Sequence, residues 1–294
     1  MKKKPSILEL IKKRVVILDG AMGSMLIAQG LQPGTPSENW NLSNPLKIKE
    51  IQKSYFDSGS DAVLTNTFGG TRIKLEAHKQ GNRCEEYNKK AVEIAREICP
   101  EDCYVAGDIG PTGVFLPPVG KATIELFKEN YLEQAKILAN EGVDFFFVET
   151  MVDIKEAETA VKAIKKVSNL PIMASMTYQK TKKDYFTIMG NDVKSCVQSL
   201  VKSGADVIGA NCTITSSEII DLVPILRELT DKPISIKPNA GKPQLKEEKI
   251  VYPVTPDEFA QDIKKIVEYK ARVIGGCCGT NPLFIERIAR IFKR

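Results

Sequence analysis

Eight short apolar runs, each followed by a stretch of helical periodicity, limit what this chain can fold into. They are Val15–Leu18, Ala62–Leu64, Tyr104–Ala106, Asp144–Val148, Pro171–Ala174, Val207–Ile208, Pro233–Ile236 and Ala271–Ile274. Their apolar character is continuous rather than alternating, the pattern of strands covered on both faces. The intervening periodicity predicts helices over Pro45–Ser58, Arg83–Ile98, Ile124–Asn140, Asp153–Val167, Asp192–Ser203, Ser216–Leu229, Pro256–Tyr269 and Pro282–Phe292. Gly59, Gly142 and Gly204 stand at helix exits, where a left-handed residue ends a helix cheaply. Each is followed two positions later by an aspartate (Asp61, Asp144, Asp206), a repeated helix-to-strand turn before the second, fourth and sixth strands.

Eight β–α units in 294 residues are the count and size of one α/β domain, a (β/α)8 TIM barrel spanning 1–294. A doubly wound open sheet would carry fewer strands, or a Gly-x-Gly-x-x-Gly loop after the first, and none stands there. Before the first strand, Ile7, Leu8, Leu10 and Ile11 predict a short N-terminal helix that caps apolar surface.

Charge and composition exclude several classes of function. The formal charge of +5 comes from basic residues scattered among acidic ones along the helices, so nucleic acid is not an expected partner. Lys2-Lys3-Lys4 and Lys12-Lys13-Arg14 read as a solvated N-terminus. No apolar run approaches the roughly 18–20 residues of a membrane span. Seven cysteines at irregular spacing, in a chain able to build its own core, argue for a reducing compartment. A cytoplasmic protein is expected.

Barrel active sites gather at the C-terminal ends of the strands, and here every such end is polar or glycine-rich. In order they read Asp19-Gly20-Ala21-Met22-Gly23, Thr65-Asn66-Thr67, Gly107-Asp108, Glu149-Thr150-Met151, Ser175-Met176-Thr177, Asn211-Cys212, Lys237-Pro238-Asn239 and Gly275-Gly276-Cys277-Cys278-Gly279-Thr280. Adjacent cysteines strain a mutual disulfide, but both can face one metal ion where flanking glycines allow a sharp turn. With Cys212, three thiolates from strand ends would leave the fourth tetrahedral position of a zinc ion open. Such an ion suits a fourth thiol, which it deprotonates while leaving it nucleophilic. Asp19 and Glu149 would then hold a cationic group such as an α-ammonium. The backbone N–H groups of Gly20 and Ala21 would take a carboxylate. Together these features describe a thiol-bearing amino acid held on zinc.

Other readings stay open on these residues alone. Cys84, Cys99, Cys103 and Cys196 read as small packing residues, and Cys212 alone could be another. A cysteine nucleophile would want a base, yet the one histidine, His78, stands in a charged segment. Lys237 on the seventh strand is a candidate Schiff-base lysine, although Pro238 follows and no aldolase-like set of partners stands out. Either acid could instead cap a helix or pair with a lysine.

The segments Leu18-Asp19-Gly-Ala-Met-Gly23, Thr65-Asn-Thr-Phe-Gly-Gly70, Asp108-Ile-Gly-Pro111, Val148-Glu-Thr-Met151, Gly209-Ala-Asn-Cys212, Lys237-Pro-Asn-Ala-Gly241 and Gly275-Gly-Cys-Cys-Gly-Thr280 resemble the homocysteine S-methyltransferase family over nearly the whole chain. The resemblance implies a zinc-dependent (β/α)8 barrel that methylates homocysteine to methionine, in methionine biosynthesis and one-carbon metabolism. It implies that Cys212, Cys277 and Cys278 are the zinc ligands and that Asp19 and Glu149 hold the homocysteine amine. It places the Gly20-Ala21 turn near the substrate carboxylate and Asn239 near the metal's fourth position. Trp40-Asn-Leu-Ser-Asn-Pro45, Gly69-Gly-Thr-Arg-Ile-Lys74 and the Lys237–Gly241 segment are most similar to the homocysteine-binding domain of cobalamin-dependent methionine synthase. Folate, cobalamin and reactivation domains are not in this sequence. The expected methyl donor is therefore methylcobalamin on a separate corrinoid protein, or a small onium compound. S-methylmethionine ranks before betaine, whose aromatic cage cannot be placed. Trp40 offers one aromatic face or packs over the barrel mouth. Two alternatives remain: a zinc methyltransferase subunit for another thiol or selenol, and a non-catalytic barrel that docks on a corrinoid protein.

Overall fold

A computed structural model describes residues 4–32, 34–182, 184–246 and 249–293; Lys2 and Lys3 of the basic start lie outside the described residues. The eight expected strands all form: β1 (Val16–Ile17), β2 (Ala62–Leu64), β3 (Tyr104–Ile109), β4 (Phe145–Met151), β5 (Ile172–Met176), β6 (Val207–Thr215), β7 (Ile234–Asn239) and β8 (Ala271–Ile274). They pair in parallel in the order β1-β8-β7-β6-β5-β4-β3-β2. A parallel bridge between Leu18 and Ala62 closes the ring. The fold is the (β/α)8 barrel.

The repeated Gly-x-Asp turn has a clear physical role. Gly59, Gly142 and Gly204 adopt φ of 97°, 88° and 99°. The aspartate carboxylates then accept the N–H groups of Ile17, Val105 and Ile172 on the preceding strand at 2.8, 2.7 and 2.9 Å. The aspartate amides donate back to the carbonyls of the same residues. Each turn thus locks one strand to its neighbour at the N-terminal rim, where no catalysis is asked of it.

The barrel interior is filled by alternate residues, among them Val16, Leu18, Ala62, Leu64, Phe145, Phe147, Met173, Val207 and Val273. Ile7 and Ile11 of the N-terminal helix Ile7–Lys13 join this cluster, so that helix plugs the lower end of the barrel, as its apolar positions predict. Its start carries a capping box between Ser6 and Glu9.

One helix differs from expectation. Ser216–Leu229 is broken into Ser216–Ile219 and Leu222–Leu229, because Pro224 has no N–H for the Ile220 carbonyl and its ring crowds that carbonyl. Short helices at Gly23–Ala28, Trp40–Ser43 and Arg72–Glu76 and hairpins pairing Gln179–Lys180 with Tyr185–Phe186 and Gln244–Lys246 with Lys249–Val251 were not predicted. All are too short to show a period, and all follow barrel strands, which puts them around the functional rim. Among the described residues no helix is long and apolar enough to cross a membrane.

Candidate active site

The C-terminal rim encloses a cavity of about 210 Å³ lined by Asp19, Asp108, Glu149, Lys237 and all three rim cysteines. It is smaller than the roughly 300–1,000 Å³ typical of drug-sized ligands, so its occupant is small.

Cys212, Cys277 and Cys278 come together as the sequence predicts. Their sulfurs lie within 4.8 Å of one another, and the Cys212 and Cys278 sulfurs are 3.9 Å apart. Two sulfurs on a tetrahedral zinc, each about 2.3 Å from it, stand about 3.8 Å apart. The triad therefore fits that ion. Hydrogen bonds from Cys277 and Cys278 pull the Cys212 thiol down, while the same contacts push Cys277 up. The Asn239 side chain also bonds the Cys212 sulfur, and its buried Oδ1 has no hydrogen-bond partner. An orphaned oxygen beside three sulfurs is what a cation in the triad would relieve.

The vicinal pair is held by backbone rather than by its own rotamers. The Cys277 amide donates to the Pro238 carbonyl at 2.8 Å, and the Ala240 amide donates to the Cys278 carbonyl at 3.0 Å. The Thr280 hydroxyl closes the turn on the Cys277 carbonyl at 2.7 Å. Gly276 has to be glycine here, since a Cβ would stand 2.3 Å from Thr280 Oγ1.

Cys212 lies at a strained strand end. Its φ is 61°, Thr213 has 57° and Thr150, beside Glu149, has 60°; each costs on the order of 1–3 kcal/mol. Asn211 connects these places: its Oδ1 accepts the Thr150 amide at 2.9 Å and its Nδ2 donates to Thr150 Oγ1 at 2.7 Å. It also reaches Glu149 Oε2 at 3.5 Å.

The two expected ammonium-binding acids already share a cation. Lys237, 3% exposed, places its Nζ 3.3 Å from Asp19 and 3.5 Å from Glu149, and 5.0 Å above the Phe147 ring. Burial alone would lower the Lys237 pKa, but the Glu149 and Asp19 carboxylates outweigh it and raise the value. An ammonium so held is no nucleophile, which removes the Schiff-base reading. Burial raises Asp19 and Glu149 above the usual carboxylate range, with Lys237 opposing it in both. Asp19 is further fixed by the Leu64 amide at 2.7 Å.

The expected carboxylate cradle is altered. The Ala21 amide donates to Thr280, at 3.1 Å to Oγ1, and the Ala21 carbonyl accepts from Tyr55 OH at 2.7 Å. Of the predicted pair, Ala21 is thus spent on holding the turn. Trp40 is half-buried against the core and is not a wall of the cavity. Cys84 and Cys196 are buried and Cys99 and Cys103 half-buried, all away from the triad, and His78 is exposed.

Sequence reasoning gave no role to Asn211, Thr280, Tyr55 or Asp108, and weighed Lys237 only as a nucleophile. A lysine inside an apolar strand signals a buried partner, and two acids at neighbouring strand ends were there to supply one.

Comparison with known proteins bears on the fold and the family. A profile of the homocysteine S-methyltransferase family matches residues 16–292. Methionine synthase of Mycobacterium tuberculosis is 30% identical over 96% of this chain, and that of Mycobacterium leprae 29% over 98%. The chain spans about a quarter of the length of these relatives, 25% in each case. The crystal structure of the homocysteine methyltransferase MmuM from Escherichia coli, metallated form, superposes with a TM-score of 0.80 at 22% identity, covering 97% of this chain and 98% of that one. The chain belongs to the homocysteine S-methyltransferase family.

Proposed function

We propose that this chain methylates the sulfur of homocysteine to give methionine, with Cys212, Cys277 and Cys278 holding a zinc ion. The observation that carries the reading is the sulfur triad, within 4.8 Å, in the wall of a small acid-lined cavity. The metallated form of the Escherichia coli methyltransferase supports it. Zinc bound there would lower the pKa of an incoming thiol and hold it as a thiolate near neutral pH.

The chain's own residues do the rest. Asn239, whose buried Oδ1 is unpartnered, would be a further residue to hold the metal beside the three cysteines. Asp19 and Glu149, preset by Lys237, make the cavity favourable to the substrate ammonium, and Gly20 borders the place for its carboxylate. The homocysteine sulfur forms its new bond to the methyl carbon as the donor departs with the electrons of the broken bond. No residue has to act as a general base. We take the donor to be methylcobalamin on a corrinoid protein, on the resemblance of the 40–45, 69–74 and 237–241 segments to the cobalamin-dependent enzyme.

The test is methionine formation from L-homocysteine by zinc-loaded protein, with methylcobalamin and S-methylmethionine supplied in parallel and the product read by mass spectrometry. Turnover with methylcobalamin alone is expected. Turnover with S-methylmethionine alone would overturn the donor and keep the reaction; none with either would overturn the homocysteine reading.

A further inference from the structure

One buried acid has no task in this scheme. Asp108, at the end of β3, is 5% exposed and forms part of the cavity wall. Its backbone is fixed on both sides: the amide donates to Thr65 Oγ1 at 3.0 Å and the carbonyl accepts from Thr67 Oγ1 at 2.7 Å. The side chain is bound to nothing comparable, and its buried Oδ1 has no hydrogen-bond partner.

The charges around the cavity explain why this matters. Asp19, Asp108 and Glu149 line it with a single cation, Lys237. The Lys237 ammonium lies against Asp19 and Glu149, which leaves Asp108 as the acid without a donor. Glu38, also buried, lies outside that wall, where its Oε1 takes the Gly69 amide. A buried carboxyl oxygen left unpaired is costly. A primary ammonium brings three N–H donors, enough to meet Asp108 and still touch the acids already preset by Lys237.

We propose that Asp108 is a substrate-binding residue, the third carboxylate of the site and the main acceptor for the α-ammonium of the amino-acid thiol. The proposal rests on the homocysteine reading and deepens it: selection for an α-amino thiol over a plain thiol resides at Asp108, with Asp19 and Glu149 occupied by Lys237.

The experiment compares two ligands on zinc-loaded protein by calorimetry: L-homocysteine, and 4-mercaptobutanoate, which keeps the thiol and carboxylate but has no ammonium. Wild type should prefer homocysteine. Asp108→Asn should lose about tenfold or more in homocysteine affinity, the loss of a charge-assisted bond, and bind 4-mercaptobutanoate as wild type does, with zinc content unchanged. Asp108→Ser carries the same expectation if the Asn variant does not fold. A variant that keeps the wild-type preference, or weakens both ligands equally, would overturn the role of Asp108. Wild type that binds neither thiol would instead overturn the homocysteine reading, and the proposal with it.

Discussion

Replacing Lys237 by methionine tests the charge arrangement most directly. Methionine keeps the length and apolar stem of the side chain and removes only the cation. At an effective dielectric near 20, a unit charge 3.3 or 3.5 Å away contributes roughly 5 kcal/mol per pair before desolvation is counted. Burying the ammonium costs several kcal/mol, so the whole of that attraction is not net stability. Breaking a buried pair by removing one member nevertheless costs about 3–5 kcal/mol, because the other charge stays buried. With an unfolding entropy near 2.1 cal/mol/K per residue, 294 residues give about 0.6 kcal/mol/K, and Tm should fall by about 5–8 °C.

The pH dependence carries the sharper signature. Burial already raises Asp19 and Glu149 above their usual values against the opposing Lys237, and without Lys237 both must rise further. A carboxyl with a folded pKa above its unfolded value of about 4 destabilises the fold as pH rises past that value, up to the raised folded pKa. The deficit of Lys237→Met should therefore be smaller at pH 5 than at pH 8, read by calorimetric melting at both. A Tm within 2 °C of wild type at pH 8, or a deficit that grows on acidification, would refute the buried ion triad.

Two further outcomes follow from the sulfur site. Serine at Cys212, Cys277 or Cys278 should remove bound zinc, measured by elemental analysis of the purified protein, and with it methionine formation; a Cys278→Ser protein with full zinc and full rate would remove the ligand assignment. Gly276→Ala puts a methyl group 2.3 Å from Thr280 Oγ1, so it should cost about 1–3 kcal/mol of stability and weaken zinc retention by moving Cys277; wild-type melting and zinc affinity would show that the turn yields freely.

The strands were legible because a buried parallel strand needs an unbroken apolar run, and each of the eight has one. The cysteine triad was legible because two thiols among glycines at a strand end have few structural uses. What could not be read was pairing across the barrel. Ala21 looked free to bind a carboxylate, but Thr280, 259 positions away, takes its amide, and nothing near residue 21 announces that. Asp19 and Glu149 looked like a site for a ligand ammonium, yet the nearest ammonium belongs to the chain itself. Asp108 sat in a quoted motif without a role, since its missing partner is apparent only when every neighbour is in place.

The seventh strand shows why these features occur together. Side chains two apart on a strand share a face, so Lys237 and Asn239 both serve the site while Pro238 between them offers its carbonyl to Cys277. Pro238 has no N–H to lose at this position, and the ladder to β8 continues beyond it through Cys277 and Ala240. One three-residue stretch thus sets the counter-charge for two acids, anchors the cysteine pair and presents an amide to Cys212. A shift of β7 by one residue would turn Lys237 and Asn239 away together. The cation that sets Asp19 and Glu149 and the carbonyl that anchors the cysteine pair are therefore registered by the same backbone.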